Sequence, residues 1–261
     1  MKIRGKLSIV KAMIFTVMTL GFTSGSGATI FWDYEMEPGD RGFDISGLSG
    51  VMTYDTSVKF SGNGSIRLDY PSQCYPDQIG SGSQCGGFTD KSIPPTQTLW
   101  TRFYVMLSSD FVVGNTETKI MFSSTNSTVS DWLILPNGST NLRMDLQALH
   151  APDTRAYVGG TLTRGQWECV ETMEKLSTIG GFDGVREIYL NGTLMKSVTG
   201  IDDRYASNPN ELFVSKRLYR QVGQGSIWLD RVATGDQRIG CSGSAIDTTT
   251  PPPVPTSLRV Q

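Results

Sequence analysis

The sequence predicts an all-β fold, a jelly-roll sandwich of two antiparallel sheets, and three observations carry that expectation. Short segments rich in β-branched and aromatic residues recur along the chain, separated by turn signals such as GNG (62–64), PNG (136–138), GG (180–181) and NG (191–192). No stretch sustains an apolar repeat at the helical period. Several segments alternate strictly instead, with one apolar and one polar side, as a half-buried strand requires.

The expected domain occupies residues 29–241. Ahead of it, Lys2, Arg4, Lys6 and Lys11 precede the apolar run AMIFTVMTLGF and the small-residue stretch TSGSGA. That order describes a secretory signal over residues 1–28, cleaved after Ala28, with an apolar run too short to span a bilayer. Behind the domain, the Thr/Pro-rich tail from Ser242 to Gln261 reads as a linker, and its end resembles the opening of a fibronectin III-like module.

Removal of the signal leaves 19 basic against 25 acidic residues, a net charge of −6. No basic stripe remains, so nucleic acid is not an expected partner. All four cysteines lie in the exported part, where an oxidising compartment favours disulfides. Four cysteines allow three pairings; Cys74 and Cys85 bracket a Gly/Ser/Pro-rich loop and are the favoured pair, which leaves Cys169 with Cys241. The expected product is a monomeric protein in an extracellular or periplasmic space, of bacterial type, with no membrane span.

The clearest hairpin is VREIYLNGTLMKSV. Asn191-Gly192 suits a type I′ turn, in which both central residues take positive φ. A two-residue loop then pairs Leu190 with Thr193, Tyr189 with Leu194, Ile188 with Met195 and Glu187 with Lys196.

Three further segments sort by parity. In WTRFYVML, Phe103, Val105 and Leu107 alternate with Arg102, Tyr104 and Met106; in TKIMFS, Ile120 and Phe122 alternate with Lys119 and Met121; in NLRMDLQA, Leu142, Met144 and Leu146 alternate with Arg143, Asp145 and Gln147. If the three strands share one sheet, Arg102, Tyr104, Lys119, Arg143, Asp145 and Gln147 form a polar platform suited to a sugar. The alternative is that each polar side simply meets solvent.

GQWECVETMEKLS carries Glu168, Glu171 and Glu174 at intervals of three. On a helix these would share a face. As a strand, Glu168 and Glu174 share a side about 20 Å apart and Glu171 points the other way. Glycosidases hold two carboxyls about 5–9.5 Å apart, so this segment holds no such pair. Glu171, on a side with Trp167, Cys169 and Met173, is expected either to bind an arginine or backbone amides, or to serve a substrate.

RFYVMLSSDF (102–111), GQWECVETMEKLSTIGGFDGVREIYLNGTL (165–194) and SIWLDRVATGDQRIGC (226–241) together resemble the secreted concanavalin A-like jelly-roll domains that include glucuronan- and alginate-type polysaccharide lyases. The middle block of that family reads roughly W-x-x-x-E-x-x-x-K-L-N-T, then D-G and a short N-G or D-G hairpin. Trp167, Glu171, Lys175, Leu176, Asp183-Gly184 and Asn191-Gly192 match it. Ser177 departs where Asn is usual, and Arg231 where a second Asp often follows Asp230. FWDYEMEPGDRGF also resembles the family's first strand.

The resemblance implies β-elimination on a uronic-acid polymer, with a cation or amide neutralising the carboxylate and a Tyr, His or Lys moving the protons. No strict motif carries the family's active residues over, so candidates follow from residue type and face. Arg143 and Gln147 would neutralise the uronate. Tyr104 would donate the proton, and His150, the only histidine, closes the same segment. Arg102, Lys119, Asp145 and Glu171 would hold neighbouring sugars. The chemistry requires no cofactor. Related sandwiches tie first strand to last through Ca²⁺, which here implies Glu35 and Asp230 as donors. A non-catalytic glycan-binding or adhesion module is the alternative reading, and a glycoside hydrolase the third.

Overall fold

A computed structural model describes residues 29–40, 43, 45, 52–70, 87–113, 117–126, 130–136, 138–145, 155–204, 210–220 and 224–241. Residues 1–28, expected to be a signal, the tail from Ser242, Cys74, Cys85, Gln147 and His150 lie outside these residues. Strands β1 (Ile30–Tyr34), β2 (Met52–Asp55), β3 (Ser65–Tyr70), β4 (Gly87–Thr96), β5 (Thr98–Leu107), β6 (Thr118–Thr125) and β7 (Ser130–Leu135) follow one another. They continue with β8 (Asn141–Asp145), β9 (Arg155–Thr161), β10 (Glu168–Lys175), β11 (Gly184–Leu190), β12 (Thr193–Ile201), β13 (Phe213–Arg220) and β14 (Gly225–Gly235). No described residue is helical.

The strands build the two antiparallel sheets that the alternation predicts. Sheet A runs β12-β11-β10-β5-β14-β3-β2, with β1 also paired to β14; sheet B runs β4-β13-β6-β7-β8-β9. The sheets face each other through one apolar core. Phe103, Val105 and Leu107 of β5, Val170 of β10 and Leu229 of β14 belong to it, with Met121, Leu133, Leu142, Met144 and Leu218 of sheet B. Each such side chain contributes about 1.5–3 kcal/mol through burial, which is why period-two alternation fixes the face of every strand.

Two bulges change the expected parity. Register shifts between Lys119 and Met121, where β6 pairs with β7, so both Ile120 and Met121 enter the core. Phe122 is thereby turned to the outer face, where its ring lies 4.2 Å from that of Trp132. The alternation expected for TKIMFS thus fails after Ile120, because a bulge inserts one residue and flips all that follow.

The second bulge lies in the hairpin. Asn191 and Gly192 take φ of 49° and 82°, and Leu190 pairs with Thr193 and Tyr189 with Leu194, as a type I′ turn requires. A shift then pairs Ile188 with Lys196 and Glu187 with Ser197, instead of Met195 and Lys196. Glu187 accepts bonds from Tyr189 Oη at 2.6 Å and Ser197 Oγ at 3.4 Å, and the cross-strand Glu187–Lys196 ion pair is replaced.

Candidate functional site

The expected platform is divided between the two sides of the sandwich. Arg102 and Tyr104 lie on β5 in sheet A, whereas Lys119 lies on β6 and Arg143 and Asp145 on β8 in sheet B. In both sheets these residues alternate with core residues and so point away from the opposite sheet. The two halves therefore occupy opposite outer faces. Parity told the side of each strand but not which sheet the strand would join.

The outer face of sheet A is roofed by loops. Tyr104 is 2% exposed, its ring stacked on Phe60 at a centroid distance of 3.7 Å. Phe60 is held there because Asp230 Oδ2 accepts its amide at 2.7 Å and that of Ser61 at 3.0 Å. Arg102, also 2% exposed, donates to Asp33 at 2.9 Å. Tyr104 as proton donor and Arg102 as sugar contact are corrected accordingly: Tyr104 is sealed beneath Phe60, and Arg102 is buried and paired with Asp33 of β1.

Glu171 resolves in favour of its structural reading. It is fully buried, and its carboxylate accepts Arg238 Nε at 2.9 Å and the amides of Ile239 and Gly240 at 3.0 and 2.6 Å. The segment 236–241 is thereby drawn over sheet A, and Cys169–Cys241 locks it with an S–S distance of 2.07 Å. That disulfide is the pairing left over by the loop argument. Glu171 is therefore no sugar contact. As strand parity requires, Thr172 and Glu174 point to the opposite side from Glu171; Thr172 Oγ1 donates to Glu174, which also accepts Lys216 Nζ in the interior.

The Glu35–Asp230 pair forms a clasp of hydrogen bonds. Asp230 accepts three amides, those of Phe60, Ser61 and, at 2.7 Å, Arg231. Glu35 accepts Ser61 Oγ at 2.7 Å and meets Arg231 Nε at 3.1 Å. Amide and guanidinium donors occupy the oxygens that a cation would need, and no group of three or more acidic, His or Cys residues able to hold a metal occurs among the described residues. The donor set does not fit calcium. Burial pushes the Asp230 carboxyl up to about 7, against its three amides and reinforced by Glu35. Gly62 completes the clasp: its φ is 59°, and a Cβ there would lie 2.0 Å from Glu37 Oε1.

The outer face of sheet B carries a different surface. Register places Asp90, Arg217, Phe122, Trp132 and Asp145 side by side across β4, β13, β6, β7 and β8. Arg217 pairs with Asp90 and lies 4.6 Å over the Phe122 ring, and Lys119 Nζ lies 3.9 Å over the ring of Trp132. Two residues along each strand, on the same face, Ser92, Ser215 and Ser124 form a row of hydroxyls, with Ser92 exposed. On the other flank, Lys119, Ile134 and Arg143 are register partners, and Tyr157 is the next residue in that register.

Arg143 is 3% exposed and is gripped by Glu117 and, at 2.7 Å, by Asp145 through the same Nη2 atom. Burial lowers the pKa of Lys119, with the Asp145 charge opposing that shift. Lys119, Arg143 and Asp145 are thus the sequence-predicted residues that the fold does bring together. Phe122, Trp132, Arg217, Asp90 and Glu117 were not anticipated. Trp132 was legible, since SDWLIL alternates Asp131, Leu133 and Leu135 with Trp132 and Ile134; Phe122 was concealed by the bulge.

No helix of the described residues is long and apolar enough to cross a membrane. No family model and no curated protein matches the chain. Solved structures do match. The endo-β-1,4-glucuronan lyase of the fungus Trichoderma reesei is 15% identical with a TM-score of 0.58, over 80% of this chain and 96% of that one. The PL-14 alginate lyase of Aplysia kurodai is 9% identical with a TM-score of 0.58, over 79% and 99%. The receptor binding domain of botulinum neurotoxin mosaic serotype C/D is 14% identical with a TM-score of 0.50, over 81% of this chain and 48% of that one. The chain shares the jelly-roll fold of these lyases, a likeness of fold that a receptor-binding domain also shows.

Proposed function

We propose that this is a secreted polysaccharide lyase that cleaves a uronic-acid-containing polymer by β-elimination on the outer face of sheet B. The observation that carries this reading is Lys119, whose Nζ lies over Trp132 on the same face as Arg143, with its pKa lowered by burial. Burial lowers the pKa of this amine, the direction that suits a proton acceptor, and the indole offers a flat apolar surface for a sugar ring. The likeness in fold to the glucuronan and alginate lyases supports the same reading.

In this mechanism a cationic group at Arg143 or Arg217 neutralises the uronate carboxylate, which acidifies the hydrogen on the adjacent ring carbon. The Lys119 amine, once deprotonated, takes that proton. The electron pair forms the ring double bond, the bond to the glycosidic oxygen breaks, and the Lys119 ammonium returns the proton to the departing oxygen. Secretion accords with the disulfide and with the signal-like first 28 residues.

The grip of Glu117 and Asp145 on Arg143 favours a second reading, a non-catalytic glycan-binding module, because the guanidinium already holds two carboxylates of its own chain. Incubation with alginate, glucuronan and glycosaminoglycans, followed by the ultraviolet absorbance of unsaturated uronide ends, separates the two. Wild type should produce the signal and Lys119→Ala should lose it by roughly 10²–10⁴-fold while still binding polymer. Absence of product from every polyuronate refutes the lyase, and retained binding would then establish the module.

A further inference from the structure

Directly behind the aromatic row, on the inner side of the same strands, lies a cluster of five buried charges. Arg186 of β11 donates Nε to Asp131 of β7 at 2.5 Å and Nη2 to Asp203 at 2.5 Å. Its Nη1 reaches the carbonyls of Lys175 and Val185 at 2.6 and 3.0 Å. Lys216 of β13 donates to Glu174 of β10 at 2.8 Å and to Ser123 of β6 at 2.7 Å. None of the five charged residues is more than 3% exposed. Asp131–Arg186 and Lys216–Glu174 each join sheet B to sheet A.

The cluster and the outer row share a backbone. Asp131 precedes Trp132, Lys216 precedes Arg217 and Ser123 follows Phe122, so alternation sends one of each pair inward and the other outward. Lys216, Ser123 and Asp131 are also register partners, as are Arg217, Phe122 and Trp132. A displacement of the inner row moves the outer one.

The charges do not balance. Two cations face three carboxylates, which leaves a buried net charge of −1 when all are ionised, and binding a proton costs less than burying that charge. Asp131 Oδ1 and Glu174 Oε2 are both buried without a hydrogen-bond partner. Among the described residues, other charged groups near these strands include Glu211, which accepts Thr125 Oγ1 at 2.7 Å, Lys91, the register partner of Lys216, Asp202, and Arg204, at 3.5 Å from the Ser177 carbonyl.

We propose that the cluster holds one proton, on Asp131, and that its loss as pH rises loosens the cross-sheet clamp and shifts the Arg217–Phe122–Trp132 row, weakening glycan binding. The last step rests on the glycan reading of this face; the proton and the movement do not. Burial pushes the Asp131 carboxyl up to about 6, with Glu174 and Asp203 adding to the rise and Arg186 opposing it. Because the folded pKa lies above the unfolded one, the associated stability is complete below the unfolded pKa and is lost as pH rises through the folded value.

The test uses the full chain labelled with 5-fluorotryptophan, with the Trp132 resonance assigned by Trp132→Phe. Between about pH 4 and about pH 8, that resonance should titrate about the folded pKa, and the Tm should fall as pH rises from the unfolded value through the folded one. Asp131→Asn, which leaves two acids against two bases, should remove the Trp132 titration and its share of the fall in Tm; the share due to Asp230 should persist. Glu174→Gln corrects the same imbalance and serves if Asp131→Asn does not fold. A Trp132 resonance that stays still in wild type, or titrates unchanged in both variants, overturns the proposal. Alginate oligosaccharide affinity should weaken several-fold from about pH 5 to about pH 8 in wild type and stay level in Asp131→Asn. If alginate does not bind at all, the glycan step alone falls, and the resonance still decides the proton.

Discussion

The two outer faces of the sandwich start from the same kind of sequence and end differently. Both alternate core residues with long polar ones, Arg102 and Tyr104 on one face and Arg143 and Asp145 on the other. On sheet A, the loop carrying Phe60 and the segment 236–241 cover that polar row, and Arg102, Tyr104 and Glu171 are at most 2% exposed. On sheet B, Ser92 and Asp90 are exposed, and Trp132, Asp145 and Lys119 are half-buried. A polar strand face thus becomes either a ligand surface or a second small interior, and the covering loops decide which.

The sharpest way to break this contrast is to remove the anchor of the cover. Glu171→Ala deprives Arg238 and the amides of Ile239 and Gly240 of their acceptor in a fully buried position. Unsatisfied buried donors cost about 1–3 kcal/mol each, so a loss of roughly 2–4 kcal/mol is expected, read as a Tm drop on the order of 5–12 °C. Turnover or binding per folded molecule should be unchanged. An unaltered Tm would mean that segment 236–241 does not depend on Glu171.

On the open face the balance reverses. Trp132→Ala removes a half-exposed indole that stacks on Phe122 and lies under Lys119. Affinity for polymer should fall roughly tenfold, about 1.4 kcal/mol, with a smaller change in Tm than Glu171→Ala causes. Titration of both variants with the same polyuronate makes the comparison direct. If Trp132→Ala binds as wild type does, the aromatic row is not the sugar surface.

Much of this arrangement was legible because period two is rigid. Phe103, Val105 and Leu107 had to share one side of β5, and Glu171 had to oppose Glu174; of the two roles the sequence left open for Glu171, the structure shows the pairing with an arginine and amides. Three things were not legible. The bulges at Ile120 and beside Ile188 insert one residue without any Gly or Pro to signal it. Sheet membership depends on long-range pairing, so the parity of β5 could not reveal that Arg102 and Arg143 lie on opposite outer faces. The roof over Tyr104 comes from Phe60, 44 positions away in the chain, through a loop held by Asp230.

The smallest expected effect belongs to Tyr104, and it separates the two faces most cleanly. Its residue type suits proton transfer, and any assignment by type would place it in the chemistry. Yet its ring is stacked beneath Phe60 at 3.7 Å on sheet A, while Lys119, Trp132 and Arg143 lie on the outer face of sheet B. No substrate on one face reaches a buried group on the other. Tyr104→Phe keeps the ring stack and deletes only a hydroxyl, so about 0.5–1.5 kcal/mol of stability is the most it should remove. Turnover of any polyuronate that wild type cleaves, or affinity where it only binds, should stay within about twofold. A drop beyond tenfold with the Tm preserved would instead place the chemistry on sheet A, beneath a loop that must open, and Lys119→Ala would then be the variant left unimpaired.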